Sequence, residues 1–71
     1  PRSAPRLFVS QRLETSAIVT LGGSQAHYLS RVMRVAVGDA VILCDNETGE
    51  WAAEVAEVGR RELALAVSRH L

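Results

Sequence analysis

The sequence predicts a mainly β domain with one short helix, built as a small antiparallel β-barrel of about five strands. Three observations carry this expectation. The chain has 71 residues, about half the length of a usual domain, so it holds one small domain at most. Short runs of β-branched and apolar residues are separated by Gly-, Asn- and Asp-containing turns. A single segment, between the second and third runs, has helical periodicity. Closing so small a sheet into a barrel also removes its exposed strand edges.

Composition narrows the class further. Hydrophobic residues make up 48% and charged residues 23%, a mixture unlike collagen, low-complexity tracts or charge-rich disordered tails. No apolar run, Ala40 to Cys44 included, exceeds five residues, too short for a membrane helix. No charged-then-apolar leader opens the chain, so no secretory signal is expected. One cysteine, Cys44, precludes an internal disulfide and fits a reducing, cytoplasmic setting. His27, Cys44 and His70 lack the close pairing of a zinc site. Without such staples, a chain that buries only roughly 60% of its unfolded surface must close a compact barrel or share a core with further chain.

The elements follow in order. Residues 1–5, with two prolines, read as a flexible tail ahead of a domain over 6–71. Arg6 to Val9 is a short strand, and Ser10 to Ser16 is a polar connection. Ala17 to Leu21 is an apolar, β-branched strand that Gly22-Gly23 ends. Ser24 is the expected cap of a helix over Gln25–Arg34. At 100° per residue, Ala26, Tyr28, Leu29, Val32 and Met33 share an apolar face, while His27, Arg31 and Arg34 share a basic stripe about 60° wide. After the Gly38-Asp39 turn, Ala40 to Cys44 is apolar on both faces, which suits an interior strand. Asp45 to Gly49 forms a hairpin loop. In the strand from Glu50 to Val58, Trp51, Ala53 and Val55 share one face, and Glu57 on that face implies a bulge or an exit from the core. Gly59-Arg60-Arg61 is the next turn. In the strand Glu62 to Ser68, Leu63, Leu65 and Val67 face one way, Ala64 and Ala66 the other.

Charge is balanced overall but not along the chain. Residues 1–34 carry five arginines against Glu14, a net +4, and residues 35–71 carry a net −4. All eight basic residues are arginine, the side chain suited to forked phosphate contacts. No nucleophile elbow, phosphate-binding glycine loop or metal spacing is present. Cys44, inside an apolar strand, reads as a buried inert thiol, and the Asp45–Glu50 acids miss the spacing of a calcium loop. No catalytic, cofactor or metal residues are therefore expected. The basic helix stripe is the strongest feature. Arg31 and Arg34 can grip phosphates while His27 or Tyr28 meets a sugar or stacks on a base. Equally, the stripe can be a solvated face with Arg31 or Arg34 paired to Glu54 or Glu62. Arg60-Arg61 is a weaker phosphate candidate. With three aromatics, a platform stacking several bases is not expected.

Pro5 to Val9, Ala26-His27-Tyr28-Leu29 through Val32-Met33-Arg34, Val37-Gly38-Asp39, Ile42 to Asp45 and Gly49 to Val55 form an ordered series. Taken together, that series resembles the amino-terminal domain of the ribosomal RNA small subunit methyltransferase E family, over about residues 5–68. The resemblance implies a PUA-like barrel that helps an S-adenosylmethionine-dependent enzyme recognise 16S ribosomal RNA, in which the enzyme methylates N3 of a uridine. It implies that catalysis, S-adenosylmethionine binding and homodimer formation belong to a separate SPOUT-class domain outside these residues, so that this chain alone is inactive. Arg6, His27 and Arg34 match positions of the family pattern and take an RNA-contact role from it, while Arg31 joins them through the helix-face argument. Tyr28 stands where the family often has a second histidine, Met33 where leucine is usual, and Asn46 where glycine often follows the aspartate. The expected partners are 16S ribosomal RNA or the small ribosomal subunit, in the cytoplasm, with no membrane. The alternative is a protein-interaction or dimer-supporting barrel that uses the Ala64 and Ala66 face.

Overall fold

The computed structural model describes residues 4–71. Its elements are β1 (Arg6–Phe8), β2 (Ile18–Gly22), α1 (Gly23–His27), which runs on into a π-helical turn (Tyr28–Val32), β3 (Ala40–Asp45), β4 (Gly49–Val58) and β5 (Glu62–His70). They build the expected mainly β domain with one short helix: five strands in the order β1-β3-β4-β5-β2, curled into a half-barrel. β3, β4 and β5 are joined as successive hairpins, and β2 pairs antiparallel with β5. One pairing departs from the all-antiparallel expectation, since β1 lies parallel to β3. The intervening strand and helix carry the chain across the sheet, the long crossover a parallel pair requires.

Of the tail expected over residues 1–5, residues 1–3 lie outside the described residues. Pro5 is half-buried, and its carbonyl accepts a hydrogen bond from the Ile42 N–H (2.8 Å). β1 and β2 end the sheet, and the helix lies between them. The Gln25 side-chain amide donates to the Phe8 carbonyl (2.7 Å), so a polar side chain satisfies an acceptor on the edge of β1.

Strand alternation builds the core. Val19 and Leu21 of β2, Val41 and Leu43 of β3, Trp51, Ala53 and Val55 of β4, and Leu63, Leu65 and Val67 of β5 all point to the concave side. Leu13 from the β1–β2 connection and Ala26 and Leu29 from the helix close it. The β4–β5 register slips between Val55 and Glu57, so Ala56 is the extra residue of a bulge. That slip turns Glu57 to solvent, as the conflict in its sequence pattern requires.

The helix differs from its expectation. Gly22 occupies the N-cap with no side-chain hydrogen bond, so Ser24 is not the cap. After one α-helical turn the bonding widens, and the Met33 N–H reaches the Tyr28 carbonyl five residues back (3.0 Å). Arg34 then takes a left-handed conformation (φ 54°), and the Val35 N–H closes on the Leu29 carbonyl (3.0 Å), a helix stop usually made with glycine. The wider turn changes the rotation per residue. Leu29 is fully buried, yet Tyr28 is 38% and Val32 62% exposed, so the continuous apolar face expected from a 100° period is split.

Candidate nucleic-acid interface

The register between β2 and β5 decides which cations meet. Gly22 pairs with Glu62 and Leu21 with Leu63, so the helix that starts after Gly22 begins beside the β4–β5 turn. That turn is tight: the Gly59 N–H donates to the Glu62 carbonyl (2.8 Å). A side chain at Gly59 would bring Cβ to 3.1 Å from that same carbonyl oxygen. Between helix and turn lies a cleft of about 310 Å³, lined by His27, Ser30 and Arg31 on one side and Gly59, Arg60, Arg61 and Glu62 on the other. His27 and Arg31, four residues apart, share a helix face. The Ser30 hydroxyl donates to the Ala26 carbonyl (2.8 Å) and so leaves the cleft to the charged groups.

Three guanidinium groups and an imidazole thus converge on one concavity. Among the described residues the only ion pair is Arg6–Glu50 (2.7 Å), so Arg31, Arg60 and Arg61 have no carboxylate partner, although Glu62 lines the same cleft. The pairing of Arg31 or Arg34 with Glu54 or Glu62, weighed from the sequence, does not occur. Guanidinium groups set around a hollow in this way are suited to phosphate oxygens.

The four residues singled out from the sequence fall in three places. His27 and Arg31 stand together in the cleft. Arg34, turned by its left-handed backbone, lines a second hollow of about 380 Å³ with Pro5, Met33, Val35 and Asp39. Arg6, on the outer edge of the sheet, is engaged by Glu50. The residues that complete the cleft, Arg60 and Arg61, carry a weaker sequence signal, because only the strand register reveals that their turn abuts the helix.

Two further polar clusters are structural. Asp45 is 5% exposed and accepts hydrogen bonds from the backbone N–H groups of Leu13 (2.7 Å), Glu47 (3.0 Å) and Gly49 (3.1 Å) and from Thr48. These donors, the Leu13 N–H foremost, hold its carboxyl well below the usual carboxylate range. The Thr48 hydroxyl also accepts from the Trp51 indole (2.7 Å). Trp51 stacks on His70 at 4.5 Å, and His70 donates through Nε2 to the Thr48 carbonyl. This network, which sequence pattern does not reveal beyond a turn, locks the β3–β4 hairpin to the end of β5. Cys44, half-buried beside Glu50, has its thiol pushed up by burial and then by the Glu50 charge, the reverse of what a nucleophile needs. No group of three potential metal ligands exists among the described residues, and no helix is long and apolar enough to cross a membrane.

Comparison with known proteins places this architecture. The family profile described as "RNA methyltransferase PUA domain" matches residues 21–68, from the end of β2 through the helix and both hairpins. The chain is 37% identical over 67 residues to the ribosomal RNA small subunit methyltransferase E of Synechocystis, covering 92% of this chain and 22% of that protein. It is 28% identical over 67 residues to the enzyme of the same name from Rickettsia conorii, covering 93% and 28%. The chain therefore spans about a quarter of the length of the relatives it matches. The same fold is found in the ribosomal RNA small subunit methyltransferase E of Neisseria gonorrhoeae, solved bound to S-adenosyl methionine. Its TM-score is 0.86 at 17% identity, over 97% of this chain and 28% of that one. A Legionella pneumophila protein solved in complex with SAM shares it too, with a TM-score of 0.86 at 13% identity over 96% and 28%. This chain belongs to the family of RNA methyltransferase PUA domains, the kind carried by ribosomal RNA small subunit methyltransferase E.

Proposed function

We propose that this domain docks a ribosomal RNA methyltransferase onto its substrate by electrostatic capture of the RNA backbone. The observation that carries the reading is the convergence of His27, Arg31, Arg60 and Arg61 on one cleft, in which the three arginines form no ion pair although Glu62 also lines it. Arg34, from its neighbouring hollow, extends the contact along the strand. Arg6 can join only by exchanging Glu50 for a phosphate. The substrate is 16S ribosomal RNA, or the small ribosomal subunit that holds it, in the cytoplasm. The parent enzyme is a homodimer that transfers the S-adenosylmethionine methyl group to N3 of a uridine. This domain supplies position and no reacting group, so alone it is inactive.

The test is the affinity of this chain for 16S ribosomal RNA across a salt series, in wild type, Arg31→Glu/Arg34→Glu and Arg31→Glu/Arg61→Glu. Three or so phosphate contacts give a slope of log K against log salt of roughly −2 to −3. Reversal within the cleft, at Arg31 and Arg61, is expected to weaken binding most and to flatten the slope. Unaltered, salt-insensitive binding would overturn the reading. A second reading, a protein-interaction face, is favoured by one observation: exposed Ile18 pairs in register with half-buried Ala66 on the convex side of the sheet. Under that reading the charge reversals leave assembly intact, and Ile18→Asp abolishes it.

A further inference from the structure

The π-helical turn does more than end the helix, because it brings an aromatic ring to the surface beside the basic cleft. Trp51 is buried in the core, whereas Tyr28 is exposed, with Val32 four residues on exposed as well. Tyr28 directly follows His27 and precedes Arg31 by three residues, and both of those line the cleft. Tyr28 and Arg31 thus stand on the same five-residue turn, as a base and its phosphate stand on the same nucleotide. Gln25, on the same helix, holds the edge of β1 at the Phe8 carbonyl, so the strand bearing exposed Phe8 flanks that helix.

We propose that Tyr28, supported by Val32, is the stacking platform for one unpaired base of the RNA whose phosphates occupy the His27–Arg31–Arg60–Arg61 cleft. The proposal rests on the RNA-docking reading and adds to it that the element recognised is single-stranded. Charge complementarity selects this occupant over an apolar protein surface. An apolar partner would have to bury Arg31 beside Tyr28 without a counter-charge, whereas a nucleotide brings a π face and an anion on one short tether. A duplex offers the same phosphates, but its bases are already stacked on one another.

The test compares affinity for a short uridine-containing single strand with affinity for a blunt-ended RNA duplex of equal phosphate count, for wild type, Tyr28→Leu, Tyr28→Trp and Arg31→Glu/Arg61→Glu. Wild type is expected to prefer the single strand. Tyr28→Leu, which keeps apolar area and loses the π face, is expected to weaken single-strand binding roughly tenfold, within the range for one base–aromatic contact. Its duplex affinity and salt slope should not change. Tyr28→Trp is expected to bind the single strand at least as tightly as wild type and shows that the site tolerates substitution. Equal affinity for the two RNAs, or Tyr28→Leu matching wild type, with salt-dependent binding still lost in Arg31→Glu/Arg61→Glu, overturns the stacking proposal and leaves the docking reading standing. No RNA binding by wild type overturns both.

Discussion

Replacing Asp45 by asparagine tests whether one buried carboxylate organises the hairpin end of the barrel. Its two oxygens have separate duties. Oδ1 accepts from the Glu47, Thr48 and Gly49 N–H groups, and Oδ2 accepts from the Leu13 N–H and the Thr48 hydroxyl. An asparagine that keeps its carbonyl on the hairpin side must present its NH₂ to the Leu13 N–H, placing donor against donor in a buried site. Leu13 is a core residue on the long β1–β2 connection, and this hydrogen bond, spanning 32 residues, ties that connection to the sheet. A buried, unsatisfied N–H is among the costlier single defects. In a domain this small the melting temperature should fall on the order of 10 °C at pH 7. The pH dependence gives an independent readout. Because the folded carboxyl is held below its unfolded value, its contribution is complete above about pH 4 and is lost as pH falls below that. Wild-type thermal stability should therefore drop steeply in that acid window, and Asp45→Asn, which has no carboxyl to protonate, should drop less. Circular dichroism melts of both proteins from pH 7 to pH 2 suffice. A variant melting within about 2 °C of wild type at pH 7, or falling as steeply in acid, would refute the reasoning.

Two further expectations concern the helix. Arg34 adopts left-handed geometry, which costs a non-glycine residue roughly 1–2 kcal/mol. Arg34→Gly should accordingly raise the melting temperature by several degrees, whereas Arg34→Ala should not, and parallel melts of the two separate backbone strain from charge. Leu29→Ala should destabilise by about 3 kcal/mol, as expected for a fully buried leucine, while Val32→Ala should change stability by less than about 0.5 kcal/mol. Urea denaturation of both reads the difference, and equal losses would mean that the helix is not widened after His27.

Most of the fold was legible because strand physics is local. Alternation in Trp51–Ala53–Val55 and Leu63–Leu65–Val67 marks one buried face, the Asp45–Gly49 and Gly59–Arg61 turns set the hairpins, and Glu57 announces a bulge by being charged on an apolar face. The parallel pairing of β1 with β3 was not legible, because three residues, Arg6 to Phe8, carry no signal for which edge they join. The helix misled for a different reason. A period of 100° assumes uniform α-helical rotation, and nothing in Tyr28-Leu29-Ser30-Arg31-Val32 marks the change to wider bonding. That local departure turns Tyr28 and Val32 outward, and the left-handed backbone at Arg34 that ends it separates Arg34 from His27 and Arg31.

The charge pattern of the sequence marks only part of the basic cleft. A basic first half and an acidic second half suggest a polarised molecule, yet the cleft takes His27 and Arg31 from the basic half and Arg60 and Arg61 from the acidic one. What assembles it is the pairing of Gly22 with Glu62, a backbone register fixed by burial of Val19, Leu21, Leu63 and Leu65 on one face. A slip of β2 by one residue against β5, which β4 also holds, would turn Val19 and Leu21 out of the core, so the hydrophobic core enforces the placement of the surface arginines. It follows that the backbone positions of the site are set by the β2–β5 ladder beneath it. Core substitutions such as Leu65→Ala should weaken RNA binding only where they unfold the domain, whereas a residue inserted between Leu21 and Gly22 should misplace His27 and Arg31 while the hairpins persist.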